Sequence, residues 1–168
     1  MRKLFFMLIT LVITTSVFAQ KDEKSVGLNL LYGSEIKNIG IGAKFNYNVT
    51  DPIRVSPSFN YFLKKDGFSM WEINADIHYL FPIAEKLKVY PLTGLAFVGT
   101  KFDYGDLFDG WDDFDVDDSS TSTNFGINLG GGVSYPLTDK LSIGAELKYS
   151  LISDFDQLVL SANVTYKF

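Results

Sequence analysis

The sequence predicts an all-β protein, an eight-stranded antiparallel up-and-down transmembrane β-barrel, on two observations. First, the last eleven residues, 158–168, alternate strictly between apolar and polar side chains, as a strand with one apolar face does. About ten residues are enough for a tilted strand to cross a bilayer. Strands can cross it only in a closed barrel, because every backbone group must be paired there.

The second observation is a turn that recurs three times, around Pro52, Pro82 and Pro136. In each copy a tyrosine precedes the proline, and a charged residue and a new alternating run follow it. Proline fixes φ and lacks the amide donor that a paired strand needs, so it suits a tight turn. Three such turns imply three hairpins.

Residues 1–19 are predicted to be a signal peptide. Arg2 and Lys3 form a positive start, residues 4–13 an apolar stretch, and residues 17–19 a cleavage site that ends on a small side chain. The alternative is an uncleaved membrane anchor, for which about ten strongly apolar residues are short. We therefore expect residues 20–168 to form one outer-membrane β-barrel domain.

The turns and longer loops divide that domain into eight alternating segments, predicted as strands at residues 25–33, 38–49, 53–63, 69–81, 87–101, 123–135, 141–151 and 158–168. In most of them the apolar side chains share one face, and charged residues, asparagine and glycine share the other. This predicts a lipid-facing outside and a polar inside. The fifth strand is less regular, because its predicted inner face is apolar too: Tyr90, Leu92, Ala96 and Val98.

Outward aromatic residues mark the strand ends next to the tight turns and the C-terminus: Tyr47, Tyr79, Phe81, Tyr135, Tyr166 and Phe168. Amphipathic rings settle at the level of the lipid headgroups, so these residues predict one interfacial girdle. A soluble barrel of the lipocalin kind would alternate in the same way, but with its apolar face inside. The charged, glycine-rich opposite face is a poor pocket for an apolar ligand and favours the membrane version.

With these features the chain resembles the small eight-stranded outer-membrane barrels of the OmpA/OmpX type, and most of all the "porin-family" barrels of Bacteroidota. The resemblance implies residence in the cell outer membrane of a Gram-negative bacterium, with the lipid bilayer and lipopolysaccharide as surroundings. It also implies assembly by the barrel-insertion machinery, which reads an insertion signal at Tyr166 and Phe168. Family members are structural, adhesive or accessory proteins, and a few modify lipids.

Six charged residues of the predicted inner face form a candidate lumen ion-pair network: Lys44, Arg54, Glu72, Asp76, Glu146 and Lys148. The alternative is a path for protons or ions. The interior of an eight-stranded barrel is only wide enough for its own side chains, which favours a packed core of ion pairs.

No catalytic residue and no cofactor are expected. His78 is the only histidine, and we interpret it as a polar lumen residue. The lipid-modifying enzymes of this barrel class use a histidine with a serine, and residues 76–80 contain no serine. The run Gly130–Gly132 is not a phosphate loop, since no helix follows it. It indicates room for bulky lumen neighbours or a bend in the strand.

Residues 102–122 are predicted to be a long extracellular loop with eight aspartates. Asp113, Asp115 and Asp117 copy the opening of a calcium loop, although Asp118 stands where the turn glycine belongs and Asn124 where the bidentate glutamate belongs. The loop is therefore a solvated acidic segment, a weak Ca²⁺ or Mg²⁺ site, or a docking segment for an envelope protein partner through its aromatic residues.

The leading function hypothesis is a non-enzymatic integral outer-membrane barrel with a structural or an accessory, adhesive role that acts through its extracellular loops. The alternatives are a small-solute or ion channel and, third, a lipid-modifying enzyme. Acidic residues outnumber basic ones, 20 to 15, which argues against a nucleic-acid partner. The absence of cysteine excludes a disulfide framework.

Overall fold

The computed structural model describes residues 21–65, 68–103, 119–153 and 155–168. These residues form eight strands: β1 (Lys24–Gly33), β2 (Asn38–Asn48), β3 (Ile53–Lys65), β4 (Phe68–Tyr79), β5 (Lys88–Asp103), β6 (Ser119–Pro136), β7 (Leu141–Ile152) and β8 (Asp156–Lys167). A two-residue segment, Phe81–Pro82, continues β4 beyond Leu80 and also pairs with β5. In the described ranges, no helix is long and apolar enough to cross a membrane.

Each strand pairs antiparallel with the next, and β1 also pairs antiparallel with β8. That last ladder runs from Ser25 opposite Lys167 to Gly33 opposite Val159 and closes the sheet into a barrel. The predicted fold class is therefore confirmed. Short turns at residues 49–52, 83–87 and 137–140 lie at one end of the barrel, here called the turn end, and the opposite end is the loop end.

The predicted bounds of the long loop, 102–122, are wrong at both ends. Strand β5 continues to Asp103 and β6 already begins at Ser119, with Phe102 opposite Ser120 and Asp103 opposite Ser119. The composition of residues 119–123, all serine or threonine, is typical of a loop. Their backbone nevertheless pairs with β5 and extends the hairpin. The proposed metal ligands Asp113, Asp115 and Asp117 lie outside the described residues.

The outer wall is apolar, as alternation predicts. Leu28, Ile41, Ile73 and Leu160 are among the residues that expose about half or more of their side chains there. In addition to the girdle at the turn end, outward aromatic residues gather toward the loop end: Tyr32, Tyr61, Trp71, Phe97, Phe125 and Tyr149. The ring of Phe97 lies 5.7 Å from that of Trp71 and 5.6 Å from that of Phe125. Two aromatic belts therefore bracket the apolar band.

Two apolar clusters lie in the interior on either side of a polar middle layer. Polar and charged side chains fill the middle. Leu80, Tyr90 and Leu92 form a small apolar cluster toward the turn end. Seven residues from six strands form a larger apolar cluster toward the loop end: Leu31, Phe62, Met70, Ala96, Val98, Ile152 and Val159.

Candidate functional site: the barrel interior

A three-residue bridge ties together distant strands in the middle layer. The Lys44 ammonium, on β2, lies 2.5 Å from Oε1 of Glu146, on β7. The Tyr90 hydroxyl, on β5, donates to the same oxygen over 2.7 Å. One Glu146 oxygen accepts hydrogen bonds from β2 and from β5, which lie on either side of β7. The carboxylate therefore crosslinks three strands through the lumen.

Gly132 allows Tyr90 to reach that carboxylate. In the registers, Tyr90 lies opposite Gly132, and Gly132 lies opposite Glu146. A Cβ atom at position 132 would lie 2.6 Å from Cζ of Tyr90. Because Gly132 has no side chain, the tyrosine ring can cross the inner face of β6. This is the room for a bulky lumen neighbour that the Gly130–Gly132 run predicts.

Lys148 holds a second group of charges. Its ammonium lies 3.8 Å from Oε1 of Glu72 and 3.6 Å from Oδ2 of Asp76, both on β4. All three residues are buried, and Glu72 is fully so. Two carboxylates on one face of β4 thus share one cation from β7.

Two asparagine amides bind one oxygen of Glu72, whereas its Oε2 has no hydrogen-bond partner among the described residues. Asn60 Nδ2 donates to Glu72 Oε1 over 2.7 Å, and Asn74 Nδ2 donates to the same oxygen over 3.2 Å. Hydrogen bonds from these neutral donors stabilise the ionised carboxylate without adding charge.

A second set of side-chain hydrogen bonds, centred on the Asn128 amide, connects β4 to β7. Asn128 Nδ2 donates to Asn74 Oδ1 over 2.9 Å and to Asp76 Oδ1 over 2.8 Å. The Ser150 hydroxyl donates to Asn128 Oδ1 over 2.8 Å. Alternation predicts Asn74 and Asn128 on inner faces, but a network predicted from charged residues does not include these neutral amides.

Arg54 lies apart from these groups, toward the turn end. Its Nε donates to Asn48 Oδ1 over 2.8 Å. Within the described ranges no carboxylate lies within 4 Å of its guanidinium. Of the six residues of the candidate network, the structure thus brings together Lys44 with Glu146, and Lys148 with Glu72 and Asp76, while Arg54 bonds a neutral amide.

His78 is inside the barrel and inaccessible. Its side chain is 1% exposed, and its ring stacks on Tyr90 with the centroids 4.7 Å apart. Neither ring nitrogen has a hydrogen-bond partner among the described residues. A reacting lipid on the outer wall could not reach this imidazole.

Little space remains between the lumen side chains. The enclosed cavity among Asn29, Asn60, Asp76, Glu146 and Lys148 measures about 10 Å³. A single water molecule needs roughly 10–15 Å³ of such volume. This cavity therefore holds one water molecule at most.

The two residues of the proposed insertion signal are on the outer wall. Tyr166 is 46% exposed and Phe168 is 66% exposed, at the turn end of β8. The Phe168 amide donates to the Lys24 carbonyl over 3.2 Å, so the final residue is tied to the start of β1.

Comparison with known proteins gives one family match. The family described as "Outer membrane protein beta-barrel domain" matches residues 5–168. A search of curated proteins found no match.

Solved structures of outer-membrane proteins share the fold at low identity. The N-terminal β-barrel domain of Pseudomonas aeruginosa OprF has a TM-score of 0.66 and 16% identity, with 88% of this chain and 98% of that chain covered. Neisserial surface protein A has a TM-score of 0.66 and 18% identity, with coverage of 87% and 96%. The Yersinia pestis attachment invasion locus protein Ail has a TM-score of 0.60 and 19% identity, with coverage of 87% and 97%.

Proposed function

We propose that this chain, which belongs to the outer-membrane β-barrel protein family, is a non-conducting and non-enzymatic barrel with a structural, adhesive or accessory role. Its place is the cell outer membrane. The barrel acts as a rigid frame that holds its loops at the cell surface, and the loops carry the contacts with partners.

The filled lumen is the observation that supports this proposal. The central bridge of Lys44, Glu146 and Tyr90 spans the barrel, and apolar clusters lie on both sides of the polar layer. A conducting pore needs a continuous water-filled path, as wider barrels have. The cavity of about 10 Å³ is far too small for a hydrated solute.

The position of His78 supports the non-enzymatic part. A general base must come within hydrogen-bond reach of its substrate. His78 is stacked on Tyr90 inside the wall, whereas the lipids that a membrane enzyme modifies lie against the outside.

We assign the contacts with partners to the acidic loop predicted at residues 102–122, here called the acidic segment. Its aspartates and aromatic residues fit a divalent cation such as Ca²⁺ or Mg²⁺, or an envelope protein partner. Residues 1–19 act as the signal peptide in this proposal, and the insertion machinery reads Tyr166 and Phe168 during assembly.

A conductance measurement tests the proposal. The folded barrel, reconstituted into liposomes and planar bilayers, should give no sugar-driven swelling and no stable current steps. An outer-membrane porin reconstituted in parallel shows that the assay detects flux. Protein-dependent sugar flux or steady conductance from the wild type would overturn the proposal and establish the channel alternative.

A variant makes the same measurement sharper. Lys44→Ala combined with Glu146→Ala removes the central bridge without leaving an unpaired charge. If the lumen is closed by this bridge, the variant should leak more than the wild type. Equal, high flux from both proteins would show that the bridge does not block the lumen.

A further inference from the structure

Three cations face the lumen at its turn end. Arg54 lies on the inward face of β3, Lys88 on that of β5 two residues before Tyr90, and Lys167 on that of β8. One carboxylate, Glu23, lies among them and accepts a bond from Lys167 over 3.2 Å. These four groups, here called the turn-end cluster, carry three positive charges against one negative charge.

The nearest carboxylate toward the middle layer does not compensate this excess. Glu146 is already bound by Lys44 and by the Tyr90 hydroxyl. Within the residues that the structure describes, no carboxylate lies within 4 Å of Arg54 or Lys88.

Hydrogen-bond donors in the cluster are also left over. The Arg54 Nε donates to Asn48 Oδ1, and the two terminal guanidinium nitrogens make no hydrogen bond to the other described residues. The amide nitrogen of Asn48 has no hydrogen-bond partner in the part of the chain that the structure describes, although the residue is only 1% exposed. A buried donor without an acceptor is costly, whereas an arriving acceptor would be bound strongly.

From this combination we propose that the turn end of the lumen binds an oxyanion group, a carboxylate or a phosphate, between Arg54, Lys88 and Asn48. A guanidinium holds both oxygens of such a group in a planar fork, and an ammonium adds a flexible point charge. In outer-membrane barrels the short turns face the periplasm, so the anion reaches the site from that side. This site does not depend on the proposed loop function.

The sequence offers a specific probe of the site. Arg54 and Arg2 are the only arginines, so protein prepared as residues 20–168 contains Arg54 alone. Its Nε–H therefore gives one arginine signal in an NMR spectrum of the ¹⁵N-labelled barrel. We would titrate inorganic phosphate, and separately acetate, in zwitterionic detergent at ionic strength held constant with chloride.

The expected result is a saturable shift of the Arg54 signal. Lys88→Gln should weaken the apparent affinity about tenfold, since it removes one charge-assisted hydrogen bond. Asn48→Asp should abolish the response, because a built-in carboxylate then occupies the guanidinium. Lys140→Gln, which removes a cation from an exposed turn at the same end, should leave the affinity within about twofold of wild type.

The probes also identify the source of the anion. A response to phosphate alone, to acetate alone or to both defines the oxyanion class. Nanodiscs of anionic lipid that saturate the signal without added phosphate, where zwitterionic nanodiscs do not, would identify a lipid headgroup as the source. Two results would overturn the proposal: no shift beyond that caused by chloride, or an equal loss of affinity in Lys140→Gln and Lys88→Gln. Heat-dependent gel mobility verifies that each variant is folded.

Discussion

Among the described residues, Lys148 is the one cation within 4 Å of two buried carboxylates, Glu72 and Asp76. Taking the charges out of water is expensive, and their attraction offsets that cost only while the partners stay together. At the scale of one residue, this lysine therefore holds the middle layer together rather than adding a surplus of stability.

Replacing Lys148 with alanine should lower the stability of the barrel by about 3–5 kcal/mol, because it leaves uncompensated buried charge. Urea unfolding followed by gel mobility measures the midpoint. Lys140→Ala, in an exposed turn, is the control and should unfold like wild type. A Lys148→Ala midpoint equal to that of the control would mean that water solvates Glu72 and Asp76.

Gly132 is the second residue on which the interior depends. Gly132→Ala should cost about 1–3 kcal/mol as overpacking, because the new methyl group collides with the Tyr90 ring. Gly131→Ala is a matched control, since the atom nearest its Cβ would be the Tyr90 carbonyl oxygen, at 3.1 Å, and not the tyrosine ring. In a Tyr90→Ala background the cost of Gly132→Ala should shrink. An unchanged cost there would contradict the proposed crossing of the ring.

The sequence predicts on which side of the barrel wall a side chain lies better than it predicts which residue that side chain binds. Alternation places Glu72, Asp76 and Glu146 inside, because the side-chain period of a strand is fixed. Partner choice depends on register around the whole barrel and on the reach of each side chain. Alternation therefore could not show that Glu146 pairs with Lys44, or that Arg54 bonds Asn48.

At the scale of elements, the hairpin of β5 and β6 is the longest in the barrel, with residues 88–103 and 119–136. The backbone pairing between these two strands continues beyond the residues whose apolar side chains alternate. Apolar periodicity detects only the part of a strand that contacts lipid, so the predicted strands end at 101 and begin again at 123. The alternation of apolar residues could not predict the part of the hairpin that extends beyond the lipid-facing residues.

The acidic segment between these strands is tested by a calcium titration. The chain has two tryptophans, Trp71 and Trp111, so the experiment uses Trp71→Phe to isolate Trp111. Fluorescence should change with a dissociation constant on the order of 10⁻⁴–10⁻³ M, as in weak extracellular sites. The triple change of Asp113, Asp115 and Asp117 to asparagine should remove the response. A flat titration to millimolar calcium would contradict a metal site in this segment.

Strand β8 carries the next prediction. Phe168→Asp should leave the protein in the periplasm, because the aromatic side chain at the end of the strand is no longer available to the insertion machinery. Phe168→Tyr, which keeps an exposed ring, should reach the outer membrane. Membrane fractionation and heat-dependent gel mobility measure both. Normal surface abundance of Phe168→Asp would show that this residue is not the signal.

At the scale of the whole molecule, the closed barrel was predictable because alternation, strand length and the repeated turns all indicate it. The apolar cluster toward the loop end was not. Its members include Leu31 and Phe62, each of which is an isolated departure from polarity on the inner face of its own strand. Only closure of the sheet brings such departures together.

The ladder between β1 and β8 also has a consequence for the timing of biogenesis. The first and last strands are neighbours, so the outer edge of β1 has no partner until synthesis has delivered β8. Every nascent or shortened chain has two unpaired edges, which invite pairing with other chains. We therefore expect a chain that has not yet closed to be prone to pairing with other chains, and closure of the barrel to wait for the whole polypeptide.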